Sequence, residues 1–424
     1  MSFFRTLCLQ VFLTGFFAVV VAKADEWTSD PVGFLTNTLV ANSVTLVPVN
    51  LVRDWTFAAR VVEVDQQGIR FTQQIPADVL MGVGVGFAEV REGSLAGGLK
   101  LGITGIVGDR LLLEWSPQGM IQPNDLVCIR PEWTIGGLLG SSESYWLEAG
   151  SNVNQADTVG LWDPATQTSR VFYFRTGQGW VEAGKESDGS KASVPIRFPG
   201  GLIIRRRAAT EGSVVIWGAV PIPLSGYYVV RPGRNVVSAP FSPANRISDF
   251  LPPLDSSCGL TSGPSAPESD TLRFTRTDGS LSPVVYLRSD RTWRAAGSDQ
   301  DAGNLELTFS QCIDFHRVGP AGLLRIAGGI ETAPAPAPAP RLPSDVEAAP
   351  VPPEAKIAIL SLVRSEGGLI VRWAAESGAM YQVQSRPPGE SQWRDIGPPV
   401  TATGENASLE FQPTGQGILR IVKP

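Results

Sequence analysis

The feature that most constrains this chain is a strand-like stretch that occurs twice. Residues 173–184 read YFRTGQGWVEAG, and residues 286–297 read YLRSDRTWRAAG. In the longer windows 157–184 and 270–297, nine of 28 positions are identical without a gap. Each window combines a run of two-residue period, a polar turn and an aromatic residue, a pattern that favours a β-hairpin. The sequence therefore predicts a duplicated β unit.

The rest of the chain has the same kind of pattern. Runs such as SVTLVPVNLV (43–52) and ARVVEVDQQGIRF (59–71) alternate or stay apolar over strand lengths, and turn residues separate them. The 45 glycines and 34 prolines favour turns and short strands, and no segment sustains a capped helical period. We therefore predict an all-β fold with several sandwich- or barrel-like modules.

Composition and the repeat divide the chain. Residues 332–354 alternate alanine and proline and then stay proline-rich, which favours an extended polyproline II spacer of up to about 70 Å. The similarity of IRPEWTIGGLLG (129–140) to VRPGRNVVSAPF (230–241) predicts where each repeat unit begins. The predicted parts are a signal peptide (1–24), an N-terminal β module (25–128), two repeat units (129–229 and 230–330), an Ala/Pro-rich linker (331–354) and a C-terminal β module (355–424).

The N-terminal residues predict export. Arg5 supplies a positive charge, residues 6–21 are apolar but too short to span a bilayer, and the AKA at 22–24 fits a cleavage site after Ala24. The mature chain would then be periplasmic, cell-surface or extracellular, without a transmembrane segment. An uncleaved anchor is the alternative. Cleavage would change the net charge from −6 to −8, which argues against nucleic acid as a partner.

Two resemblances follow from these motifs. The segments VRWAAESGAMYQVQS, WRDIGPPVTATG and ILRIV give residues 355–424 a resemblance to fibronectin type III-like modules. The segments DPVGFLTNTLVANSVTLVPVNLV, IRPEWTIGGLLG, ADTVGLWD and VFYFRTGQGW make residues 25–330 similar to a family of exported bacterial β-rich proteins of unknown function. This second resemblance implies export and an all-β body, and it implies no activity, cofactor or catalytic residue.

The cysteines allow one disulfide. Cys128, Cys258 and Cys312 remain after cleavage, and an exported chain can form disulfides. Because Cys258 and Cys312 both fall in the second repeat unit, we predict that they pair, with three free thiols as the alternative. Cys128 is predicted to be a buried strand thiol.

The residue types that catalysis usually needs are scarce. His316 is the only histidine, no nucleophile motif accompanies it, and we expect an ordinary strand residue there. Catalytic zinc usually draws on several histidines, so we predict no metal centre and no cofactor. The 41 acidic residues leave a carboxylate-based hydrolase open, but no spacing distinguishes a pair.

Two polar segments have competing interpretations. Asp299, Asp301 and Asn304 offer oxygens for calcium, but aspartate and glycine also favour a polar hairpin turn, which we expect there. The triplet 205–207 could bind an anionic polymer, but in a strand its arginines alternate between faces, so we expect a solvated strand end.

Aromatic residues of the repeat are the best binding candidates. Tyr173 and Trp180 in the first unit recur as Tyr286 and Trp293 in the second. An exposed Trp or Tyr could stack on a sugar ring, but a Trp after a turn also caps the end of a sandwich core. The Phe172/Phe174 face of its strand is wholly apolar and is therefore predicted to be the core face.

These observations predict an exported, non-catalytic structural or binding protein. It would act in adhesion or polymer recognition, and its partner would be a surface polysaccharide or another exported protein. The alternative is a carboxylate-based polysaccharide hydrolase with an accessory β-sandwich module.

Overall fold

The structure is a computed structural model, and strands make up most of it. It describes residues 27–28, 32–93, 98–140, 147–221, 226–239, 246–252, 259–276, 280–308, 310–327, 357–365, 368–388, 390, 392–412 and 416–423. Within these ranges the helical elements are α1 (Ile135–Leu139), α2 (Ile247–Phe250) and a single 3₁₀ turn, Ala266–Glu268. The predicted all-β class, with several sheets and a small barrel, is confirmed.

A first unit combines a five-stranded sheet with a strand pair. The antiparallel sheet has the order β13 (Gly179–Glu182), β12 (Thr168–Arg175), β11 (Thr158–Asp163), β15 (Gly201–Arg205) and β3 (Val44–Pro48). The pair consists of β2 (Val32–Leu39) and β16 (Gly212–Ala219). Helix α1 belongs to this unit, together with the short pair β10 (Trp133–Thr134) and β14 (Pro195–Ile196).

A second unit follows the same path. Its sheet has the order β21 (Trp293–Ala295), β20 (Val285–Leu287), β19 (Thr271–Phe274), β22 (Cys312–Arg317) and β18 (Gly233–Ser238). Its strand pair consists of β17 (Gly226–Val230) and β23 (Gly322–Ile326). In both units the first strand pairs with the last, and the second strand forms one edge of the sheet beside the penultimate strand.

The predicted N-terminal module is divided differently in the structure. A closed six-stranded barrel is formed by β4 (Phe57–Val64), β5 (Gly68–Phe71), β8 (Arg110–Leu113), β7 (Lys100–Val107), β6 (Gly86–Glu92) and β9 (Leu126–Pro131). Strands β2 and β3, which precede it, pair with β16 and β15 of the first unit instead. The boundary predicted at residue 128 is therefore corrected: residues 57–131 are inserted between two strands of the first unit.

The C-terminal module contributes three strands to each of two sheets, and the second of these sheets has six strands in all. One has the order β24 (Ile359–Ser365), β25 (Gly368–Ala374) and β28 (Asn406–Phe411), and the other has β29 (Gly417–Lys423), β26 (Met380–Arg386) and β27 (Arg394–Thr401). Strand β29 also pairs with β2 and with β1 (Trp27–Thr28). The expectation that a spacer sets this module apart is therefore corrected, because the module continues a sheet of the first unit. The linker itself lies outside the described residues.

Burial follows the strand alternation. On β12, Phe172 and Phe174 enter the largest hydrophobic cluster, which confirms the predicted core face. This cluster runs through both units, whereas the barrel and the C-terminal module each have a separate cluster. Phe34 and Val215 from the first unit complete the C-terminal cluster, so apolar contact holds that module in place as well as strand pairing.

Candidate functional site

Both repeated tryptophans are buried. Trp180 and Trp293 are each 1% exposed, and each indole N–H donates to the carbonyl at the C-terminal end of a helix. Trp180 reaches Gly140 O after α1 at 2.7 Å, and Trp293 reaches Leu251 O after α2 at 3.0 Å. A ring enclosed in this way cannot stack on a sugar. The binding role proposed for these residues is therefore corrected to a structural one.

The repeated tyrosines lie on the neighbouring strands, β12 and β20, and are buried on the opposite face of each sheet. Tyr173 is 1% exposed and Tyr286 is 8% exposed. Their hydroxyls donate to carboxylates of the following turn, to Glu186 Oε1 at 3.3 Å and to Asp299 Oδ1 at 3.1 Å. These hydroxyls order a turn, and the rings offer no open stacking surface.

A buried ion pair recurs in the two units and was missed from the sequence. Asp157 binds Arg206 Nη1 at 2.5 Å, and Asp270 binds Arg317 Nη1 at 2.7 Å. Each aspartate also accepts two backbone N–H groups, and both are fully buried. Arg206 is therefore not part of a solvated strand end, although its neighbour Arg205 is exposed. The available signal was the aspartate at the same place in both windows, 157 and 270.

The two cysteines that the structure describes do not provide a reactive site. Cys258 lies outside the described residues, and Cys312 has a free, buried thiol 3.9 Å from Ser238 Oγ. The structure thus has a thiol at Cys312, where we predicted half of a disulfide. Cys128 is also free and buried, as predicted. Burial raises the pKa of Cys128 to about 11 and that of Cys312 to about 12, so both thiols stay protonated at neutral pH.

The calcium candidates bind protein groups instead. Asp299 accepts Tyr286 and Arg288, and Asp301 accepts the N–H of Gly303 in its own turn. This is the polar turn that the sequence favoured. Over the described ranges, no three His, Cys, Asp or Glu side chains come together as a metal site would require.

A buried charge cluster lies on the barrel strands β6, β7 and β9, next to the second unit. Glu89 contacts Arg130 at 2.7 Å and Lys100 at 3.4 Å, and all three side chains are at most 2% exposed. Burial alone would raise the pKa of Glu89, but the two cations outweigh it and keep that pKa below its usual value. The Lys100 ammonium also lies 5.6 Å from the ring of Tyr228, a residue of β17. Through the contact between Lys100 and Tyr228, this cluster joins the barrel to the second unit.

Glu132 is a buried carboxyl whose acidity is strongly reduced. Burial raises its pKa to about 8, although the Phe198 N–H donates to it at 3.1 Å, and Glu114 adds repulsion. Such an acid is protonated at neutral pH and could in principle serve as a general acid. Its residue is only 5% exposed, so a polymeric substrate has no access to it.

The second sheet presents a different set of groups on its outer face. Strand pairing puts Arg234 opposite His316, and Arg273 opposite Asp314, all on the face away from the core. Arg234 Nε donates to Asp314 Oδ1 at 2.8 Å, and Arg273 Nε donates to Asp314 Oδ2 at 3.0 Å. We call Arg234 and Arg273 the arginine pair.

Asp314 holds the arginine pair in place while both guanidinium groups stay accessible. The Asp314 side chain is 9% exposed, whereas those of Arg234 and Arg273 are 34% and 47% exposed. Trp162, from the first unit, lies under Arg234 at 4.9 Å and donates its indole N–H to Arg234 O at 2.8 Å. His316 is exposed on the same face. The sequence signal for this site was the polar residues at alternate positions of a buried strand, as in CIDFHR (312–317). This pattern does not show which strands pair with that strand.

The comparisons with known proteins leave the family open. No protein-family model, curated protein or solved structure matches the chain. The resemblances to an exported bacterial family and to fibronectin type III-like modules therefore stay predictions. In the ranges that the structure describes, no helix has the length and apolar character needed to cross a membrane.

Proposed function

We propose that this chain is an exported, non-catalytic structural or binding protein that recognises a surface polysaccharide or another exported protein. One contrast carries the proposal. Among the described residues, the thiols and Glu132, a carboxyl with a raised pKa, are buried inside the fold. The arginine pair and His316 are instead at least partly exposed together on one face of a sheet. Accessible charged groups of this kind suit binding, whereas catalysis needs enclosed reactive groups that substrate can reach.

We also infer that the two units arose by duplication. Their sheets have the same strand order, and the Asp–Arg ion pair, the Tyr–carboxylate contact and the Trp–carbonyl bond all recur. The C-terminal module is proposed to be fibronectin type III-like. Support comes from its two packed sheets, from the buried Trp373 and from the Tyr381 hydroxyl, which accepts the N–H of Glu376 five residues upstream.

Cell fractionation and binding screens test the function. An antibody against residues 25–330 should find the chain outside the cytoplasm, and an array of surface polysaccharides and exported proteins should contain a ligand. A cytoplasmic chain, or one that binds nothing on the array and whose deletion leaves the cell surface unchanged, would contradict the proposal.

Glu132 is the observation that favours the hydrolase alternative. An acid with a pKa of about 8 could protonate a glycosidic oxygen at neutral pH. The decisive assay measures reducing ends released from polysaccharides by the wild-type chain and by Glu132→Gln. Release that the substitution abolishes would replace the binding proposal with the enzyme.

A further inference from the structure

We propose that the arginine pair is the centre of a binding site for a carboxylate-bearing polysaccharide. This inference rests on the proposed binding function and specifies its ligand. The starting observation is that both arginines contact Asp314 through Nε alone. A guanidinium has five N–H donors, so each group keeps its four terminal N–H groups without a hydrogen-bond partner among the described residues.

These terminal N–H groups are suited to carboxylates. The guanidinium is planar and presents its donors as a fork that matches the two oxygens of a carboxylate. Asp314 already holds both forks on the sheet face, so a ligand would not have to order two free side chains. Trp162 supports Arg234 from below, which restricts this side chain further.

Neutralising Asp314 does not account for both arginines. One guanidinium balances the charge of this buried carboxylate, so the second one leaves the centre with a net positive charge. The first unit shows that the shared fold does not need them. At the equivalent register positions it has Val44 for Arg234, Gly160 for Arg273 and Ile203 for Asp314.

The surrounding face extends the site. Strand register places Arg234, His316 and Thr271 in one row across three strands, β18, β22 and β19. At about 4.8 Å between strands, this row is roughly 10 Å long and matches a short segment of a polysaccharide. Arg288 is on the same face and pairs with Asp299 at 2.9 Å.

The net charge around the arginine pair indicates which anionic polymer fits the site. Two arginines and one aspartate give the centre a net charge of only about +1, on a chain whose net charge is −6. Duplex DNA has one charge per roughly 1.7 Å and needs an extended basic surface. A polyuronate has its carboxylates farther apart, one on each sugar, and therefore fits a few separate arginines better.

Binding of the full chain to immobilised polygalacturonate tests the site, with neutral dextran and duplex DNA as comparison ligands. Polygalacturonate should bind, and dextran and DNA should not. Arg273→Gln and Arg234→Gln should each weaken binding about tenfold, because each removes one charged fork. Arg60→Gln is the matched control, since Arg60 is an exposed, ion-paired arginine on the barrel, and it should bind like the wild type. Circular dichroism and melting curves show whether each variant folds.

Three results would overturn this inference: no binding to polygalacturonate, equal binding by wild type and Arg273→Gln, or preference for DNA. A chain that instead binds a neutral glycan or a protein, unaffected by Arg234→Gln and Arg273→Gln, would disprove the anionic site and leave the proposed binding function intact. A chain without any ligand on the wider array would remove the proposed function itself.

Discussion

A single buried carboxyl should make the stability of this protein depend on pH. Glu132 has a pKa raised by burial to about 8, against an ordinary value of 4.5. A carboxyl whose folded pKa is raised contributes fully below pH 4.5, and its contribution is lost as the pH rises towards 8. Glu132→Gln has no ionisable group at this position, so its stability should not fall as the pH rises. The variant should therefore be more stable than the wild type at pH 8 by roughly 2–5 kcal/mol and similar to it at pH 4. Denaturant unfolding at both pH values measures this.

The control for Glu132 is Glu92→Gln, at a carboxyl that is 63% exposed on the barrel surface. Its stability difference from the wild type should be small, because an exposed ion pair contributes little to stability. A Glu132→Gln curve parallel to the wild-type curve from pH 4 to pH 8 would show that Glu132 ionises freely in the folded protein.

The ion pairs Asp157–Arg206 and Asp270–Arg317 should be among the most sensitive positions. Asp157→Ala leaves Arg206 buried without its carboxylate and frees two backbone N–H groups, and Asp270→Ala does the same to Arg317. Each change should lower the free energy of unfolding by about 3–5 kcal/mol. Glu63→Ala, which removes the exposed partner of Arg70, should cost less than about 1 kcal/mol. Equal, small effects at all three sites would mean that the buried pairs are open to solvent.

At the scale of elements, each tryptophan of the repeat joins a sheet to a helix. Trp180→Phe and Trp293→Phe each leave the carbonyl at a helix end without its donor and shrink a filled core position. Both variants should lose roughly 1–3 kcal/mol of stability, by similar amounts because the contacts are equivalent. Thermal unfolding measures this, with Trp115→Phe on the barrel as a control, since Trp115 is only partly buried. A loss at Trp115 as large as at Trp180 and Trp293 would argue against a specific role for the indole–carbonyl bond.

At the scale of the whole molecule, the C-terminal module should stay attached after the linker is cut. Cleavage at a protease site placed within residues 332–354 would break the covalent connection between the C-terminal module and the rest of the chain. The two fragments should still elute together in gel filtration, because β29 pairs with β2 and Phe34 packs into the C-terminal cluster.

Substitutions on β2 sharpen that test. Phe34→Asp would bury a charge at the joint and should separate the cut fragments, whereas Thr36→Asp lies on the same face but is exposed and should not. Separation of the wild-type fragments would show that the module is held by the linker alone.

Much of the fold could be predicted from the sequence because the controlling forces are local. The two-residue alternation of Phe172, Tyr173 and Phe174 specified a strand and its core face, and Gly- and Pro-rich turns limited strand length.

The candidate site was only partly predictable. His316 is distinguished in the sequence as the lone histidine, but Arg234, Arg273 and Asp314 are far apart in sequence and share no motif. Their meeting depends on the register of three strands.

The sequence by itself determined that this chain forms β-strands, that a hairpin recurs and that apolar faces alternate with polar ones, because these properties depend on near neighbours. Only the tertiary structure decided which strands pair. Strands β2 and β3 pair with partners more than 150 residues later, and β29 returns to β2 from the other end of the chain. That pairing buried the repeated tyrosines and tryptophans and left the arginine pair exposed. No local pattern encodes it, because the free energy of strand pairing comes from contacts formed only once the chain has folded.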